Sequence, residues 1–174
     1  MENKKSINHF AAGAISASVI IIYSLIVYFA NLPMRNNATG WIVYLIFILV
    51  LAFLVKYYGD SNNNQLSFGN LFAFGFKSTA FAIVLILFFV IISYLMLPDM
   101  QERIWQATRQ QMEKQNRSDE EIEKAIEMGK KFIWIGLIGG TILIYAILGA
   151  IGSLIGAAIT KKKPYNPLEQ LDMR

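Results

Sequence analysis

At 174 residues, 55% of them hydrophobic and with a mean hydropathy of +0.44, the chain is too apolar for an ordinary soluble domain. It contains no cysteine, which excludes disulfides, thiolate metal sites and thiol nucleophiles. The formal net charge is +4, but Lys4, Lys5, Lys56, Lys77 and Lys161 to Lys163 flank long apolar runs. Lysines so placed anchor spans to anionic lipid, and they imply no nucleic-acid partner.

Four runs free of Asp, Glu, Lys and Arg stand out: Ser6 to Met34, Asn36 to Val55 after the single Arg35, Ser78 to Pro98, and Phe132 to Thr160. Crossing a hydrocarbon layer of about 30 Å takes about 20 helical residues. The expected fold is therefore all-α: an integral membrane four-helix bundle in one domain, residues 1–174, with spans near 10–32, 39–57, 78–97 and 132–159.

The first run places Ala12 and Ser16, Gly13 and Ala17, and Ala14 and Ser18 four residues apart, which puts each small pair on one helical face open to close approach. Its apolar core, Phe10 to Leu32, exceeds a signal-peptide core of about 7 to 15 residues, and it is expected to stay as a signal anchor. Asn31, Pro33 and the stretch from Arg35 to Gly40 read as a tight turn. Trp41 opens the second span and Lys56, Tyr57 and Tyr58 close it at the opposite interface.

Asp60 to Gln65 is a polar, Asn-rich loop, after which Ser67 is a candidate N-cap. Phe68, Phe72 and Phe76 fall four apart, with Phe74 off that stripe, and Lys77 then interrupts the apolar sequence. A lysine at a helix centre costs about 2.5 to 3.5 kcal/mol on an insertion scale. The expectation is accordingly an interfacial amphipathic helix over Ser67 to Phe76, with Lys77 snorkelling to headgroups and the span beginning at Ser78. The sharper reading makes Lys77 an intramembrane functional cation.

Between the last two spans, residues 98–131 read as an extramembrane helical hairpin. Pro98 and Asp99 suit a first turn, Asn116 and Arg117 break the pattern, and Ser118 with Glu121 forms a capping box. Ile122, Ala125, Ile126, Gly129 and Ile133 make one apolar face. The acidic residues have basic partners one turn on, Asp99 with Arg103, Glu113 with Arg117, Glu120 with Lys124 and Glu127 with Lys131. A solvated face thus explains them without a metal.

In the fourth span Gly136 with Gly140, Gly149 with Ser153 and Ala157, and Gly152 with Gly156 and Thr160 form small-residue ladders. Glycine in a helix interior costs about 1 kcal/mol relative to alanine, so Gly136, Gly140, Gly149, Gly152, Ser153 and Gly156 are expected to serve helix packing, within the bundle or between copies.

Four spans put both termini on one side. There Lys4, Lys5, Lys56, Lys77, Lys161, Lys162, Lys163 and Arg174 outnumber Glu2, Asp60, Glu169 and Asp172, whereas the other side is balanced overall. Both termini, including the tail 161–174, are expected to be cytoplasmic. His9 stands alone as a possible ligand or base, and there is no glycine-rich phosphate loop or nucleophile elbow. No cofactor, metal or catalytic group is expected.

Ser67, Phe68 and Gly69 opening the third segment, Leu97, Pro98 and Asp99 leaving it, and the series Ser118, Glu121, Ile122, Met128, Lys130, Lys131 and Phe132 resemble domain-of-unknown-function family 4199, uncharacterised four-span bacterial membrane proteins. The ending around Gly149, Ser153, Leu154, Ile155, Ala157, Ala158 and Ile159 followed by lysines is similar to that family too. Asn70 stands where members often carry an acid. The resemblance implies an inner-membrane protein and no particular activity. The expectation is a non-enzymatic multi-pass protein whose hairpin serves association with a protein partner or a second copy. The alternative is a small transporter or channel subunit using Lys77 and the hydroxyls of Ser93, Tyr94, Thr141 and Tyr145.

Overall fold

The computed structural model describes residues 6–30, 32 and 38–161. The described residues contain six helices: α1 (His9–Phe29), α2 (Ala38–Ser61), α3 (Phe68–Met96), α4 (Pro98–Glu113), α5 (Asp119–Lys131) and α6 (Ile133–Ile159). The four candidate membrane spans are α1, α2 from Gly40, α3 and α6. They form an all-α membrane bundle. Lys4, Lys5, the turn residues Pro33 and Arg35, and the tail from Lys162 lie outside the described residues.

Each start has a local cause. The Asn8 side chain accepts from the Ala11 amide at 2.7 Å and Ser67 accepts from Asn70, so both helices open with an orphan N–H satisfied. Asn63 and Asn64 turn the chain between α2 and α3 with φ of 56° and 57°, a left-handed conformation that asparagine tolerates. α2 outlasts its expected span by a full turn, because Lys56 closes an i,i+4 ion pair onto Asp60 at 2.6 Å and so carries the polar end in helical form.

α3 runs unbroken from Phe68 to Met96, so the separate interfacial helix expected over Ser67 to Phe76 is instead the first part of one long helix. The reason is facial. Its buried positions are Leu71, Phe74, Gly75, Ser78, Thr79, Ala82, Ile86 and Ser93, a stripe at three- and four-residue steps that passes straight through the joint. Lys77 projects from the exposed side of that stripe, and a straight-chain residue there costs the helix little. Phe74, the aromatic off the expected stripe, is the one that packs inward, stacked on Tyr58 with centroids 3.8 Å apart and planes 3° apart.

α3 and α6 form the principal pair, with α1 against α3 and α2 against α6. Two buried clusters fill the interior. One joins Ala12, Leu54, Val55, Leu71, Phe74 and Ala157; the other joins Ala17, Ile20, Phe47, Leu51, Ala82, Ile86 and Tyr145. Lipid tails are as apolar as these side chains, so closeness of packing rather than escape from water holds such helices together. The first cluster is the tighter. A Cβ on Gly75 would strike Val55 and Ser153, one on Gly149 would strike Thr79, and one on Gly156 would lie 2.6 Å from the Val55 Cβ and 2.7 Å from the Ala52 carbonyl.

The α3 and α6 contact is reciprocal. Gly75 and Thr79 on α3 meet Ser153 and Gly149 on the antiparallel α6, each glycine receiving the other helix's hydroxyl residue. Each hydroxyl donates back to its own helix, Thr79 to the Gly75 carbonyl at 3.0 Å and Ser153 to the Gly149 carbonyl at 2.6 Å. No polar group is therefore left unmatched in the seam.

Candidate functional site

The far end of the bundle is built differently. There the helices line a partly open cavity of about 240 Å³. α1 contributes Tyr23, Ser24 and Val27, α2 contributes Gly40, Val43 and Tyr44, and α3 contributes Phe89, Val90, Ser93 and Tyr94. Leu137 of α6 completes the wall, and Met100 and Ile104 of α4 roof it. None of these lining residues carries a charge.

The roof is positioned by the α3–α4 corner. Leu97 leaves the helical conformation at φ −115° and ψ 88°, and Pro98 begins α4 at its first turn, where a missing N–H costs nothing. The Gln101 side chain then donates to the Tyr94 carbonyl at 2.9 Å, using an acceptor freed at the end of α3. The Arg103 guanidinium lies 5.0 Å above the Tyr28 ring of α1, a cation–π contact that ties α4 to the first span. The Tyr94 ring meets Trp134 edge-on at 5.3 Å, and the Tyr44 ring meets Trp41 and Tyr145.

Buried hydroxyls separate the two ends. Ser16, Ser78, Thr79 and Ser153 all donate to the carbonyl four residues back. Ser93, only 5% exposed, lines the cavity.

Beyond the roof, α4 and α5 form a self-contained hairpin. Ile122 and Ile126 of α5 are buried, and Gly129 lets the Trp105 ring come within 2.9 Å of where a Cβ would stand. Asn116 turns the chain at φ 56°. Ser118 accepts from the Glu121 amide while the Glu121 carboxylate accepts from the Ser118 amide at 3.2 Å, completing the capping box. Glu120 pairs with Lys124 at 2.7 Å, whereas Arg117 turns forward to Glu121 at 3.6 Å. Arg109 of α4 bridges to Glu123 of α5, and this hydrogen-bonded carboxylate raises the guanidinium pKa further.

The remaining sequence-derived residues are dispersed. Gly149, Gly152, Ser153 and Gly156 face α2 and α3, whereas nothing lies within 4 Å of a Cβ built on Gly136 or Gly140. Lys77 is exposed on α3 at the tight end. Of the residues considered for a transport path, Ser93 and Tyr94 line the cavity. Tyr145 sits in the neighbouring core cluster and Lys77 lies elsewhere. The cavity itself had no local signal: Tyr23, Tyr44 and Ser93 come from three helices and only the splay of the bundle gathers them. Gly75 and Thr79 carry the same kind of signal in sequence, their four-residue spacing repeating that of Gly149 and Ser153.

Residues 11–162 match the family described as "Protein of unknown function (DUF4199)". No curated protein and no solved structure matches the chain.

Proposed function

The chain belongs to this DUF4199 family, and on that footing we propose that it is a non-enzymatic, multi-pass protein of the bacterial inner membrane whose α4–α5 hairpin associates with a protein partner or a second copy. One observation carries the reading. The hairpin is pre-ordered by its capping box, its Ile122 and Ile126 core and its Arg109–Glu123 bridge, so a partner meets a rigid surface without the cost of ordering it. Met128 stays exposed beside the buried isoleucines and is flanked by charge, a pattern suited to an apolar anchor inside a polar rim.

The lysine distribution supports cytoplasmic termini and an extracytoplasmic hairpin. Twenty residues separate Lys77 from Leu97, a rise of about 30 Å at about 1.5 Å each, which suits Lys77 at one boundary of the hydrocarbon and the α3–α4 corner at the other.

A photocrosslinking residue placed at Met128 in cells should give a discrete adduct, either a dimer or a heterologous complex. Ile122→Asp, which unpacks the hairpin and leaves the spans, should abolish it. Absence of any discrete adduct at Met128, Gln110 and Glu127 alike would overturn the proposal. The second reading, a small transporter or channel subunit, draws support from Ser93 and Tyr94 sharing one cavity. It requires flux in proteoliposomes that Lys77→Met reduces.

A further inference from the structure

We infer that the α4–α5 hairpin is a rigid lid, hinged at Leu97 and Phe132, whose swing sets how far the cavity beneath α4 opens on the hairpin side of the bundle.

A lid has to move as one piece. Ile122 and Ile126 of α5 are 0% and 7% exposed, and α5 packs against α4. The Trp105 ring sits over Gly129, and Arg109 bridges to Glu123. Contacts of this kind are lost only when the hairpin itself opens.

A lid also has to turn somewhere. Each end of the hairpin joins the bundle through one residue outside the helical conformation, Leu97 at φ −115° and ψ 88°, and Phe132 at φ −109° and ψ 15°. Hinges are residues at the ends of elements that absorb a change of φ and ψ. The side chains at these two corners are not packed in the core, Met96 being 73% and Phe132 51% exposed. Turning there breaks no buried contact of either side chain.

What holds the lid down is light and lies on one helix. The Gln101 side chain donates to the Tyr94 carbonyl at 2.9 Å, and the Arg103 guanidinium lies 5.0 Å above the Tyr28 ring. Met100 and Ile104 complete the seat by lining the cavity. One hydrogen bond and one cation–π contact are each weak, and both are released without unfolding a helix. Ile104 is seven residues from Leu97, about 10 Å along α4, so a swing of about 20° moves it by about 3.5 Å. That movement widens a cavity already partly open.

The chain has no cysteine, so pairs of introduced cysteines can carry nitroxide labels in the full chain in lipid nanodiscs, with distances read by pulsed electron resonance. Gln110→Cys with Ile26→Cys joins lid to bundle, Gln106→Cys with Glu120→Cys lies within the lid, and Ile26→Cys with Leu143→Cys lies within the bundle. Adding Gln101→Ala and Arg103→Ala should lengthen the lid-to-bundle distances and leave the other two pairs unchanged. In a separate Ser24→Cys chain, the same two changes should speed labelling of this cavity residue by a water-soluble maleimide about tenfold, as loss of two weak contacts does. Gel filtration establishes folding of each variant, and Arg103→Ala alone carries the same expectation if the double change does not fold. Lid-to-bundle distances that stay the same, equal Ser24→Cys labelling rates, or a within-lid pair that broadens together with the lid-to-bundle pair would overturn the inference.

Discussion

The two ends of the bundle are made from the same residue types and behave as opposites. At one end Gly75, Gly149 and Gly156 bring backbones together until a single added carbon would collide, and every buried hydroxyl there is returned to its own helix. At the other end Gly136 and Gly140 face open space, and tyrosines with valines line a cleft. Small residues alone therefore do not specify close packing. They permit it, and the outcome depends on whether a facing helix supplies a complementary bulge such as Thr79 or Val55.

The sharpest way to break this contrast is to enlarge one glycine at each end. Gly149→Leu should destabilise the bundle by about 3 kcal/mol or more, as expected for overpacking against a fixed neighbour. SDS titration in mixed micelles would read this as an early loss of helix. Ile122→Ala should cost about 2 kcal/mol, the lower part of the range for a buried isoleucine. That loss belongs to the hairpin, so amide exchange should rise in α4 and α5 and stay unchanged in α3 and α6. Ser118→Ala should cost about 1 kcal/mol through loss of the capping box, seen as faster exchange in the first turn of α5 only. Gly136→Leu should fall within about 0.5 kcal/mol of wild type, as surface changes usually do. If Gly136→Leu proved as damaging as Gly149→Leu, the open end would have to be packed against something, and the contrast would fail.

Much of this architecture could be read before any coordinates. Hydropathy marks the four long helices because a bilayer demands length and apolarity over a contiguous stretch, and Ser118 with Glu121 marks the start of α5 because capping is a three-residue event. Only the helix break expected before Lys77 is absent, and for a definite reason. The cost of a lysine depends on the face it occupies, and face is settled by which neighbours Leu71, Phe74 and Gly75 find. Spacing alone pairs Arg117 with Glu113, whereas the turn at Asn116 takes Arg117 out of α4 and onto Glu121. Gly136 and Gly149 are indistinguishable as sequence, since the distance to a facing helix is a property of the assembled bundle.

The exchange of Gly75 and Thr79 with Ser153 and Gly149 has a mechanical meaning. Two helices joined by matched knobs and hollows cannot slide along one another by a residue without driving Thr79 or Ser153 out of its hollow. Translation is thereby blocked, whereas a change of crossing angle is resisted much less. The seam behaves as a fulcrum near one end of a long lever. Ser93 stands fourteen residues from Thr79, about 21 Å along α3, so a rock of about 5° at the seam would shift the cavity wall by about 2 Å. The fixed register of the closed end then follows from a single contact.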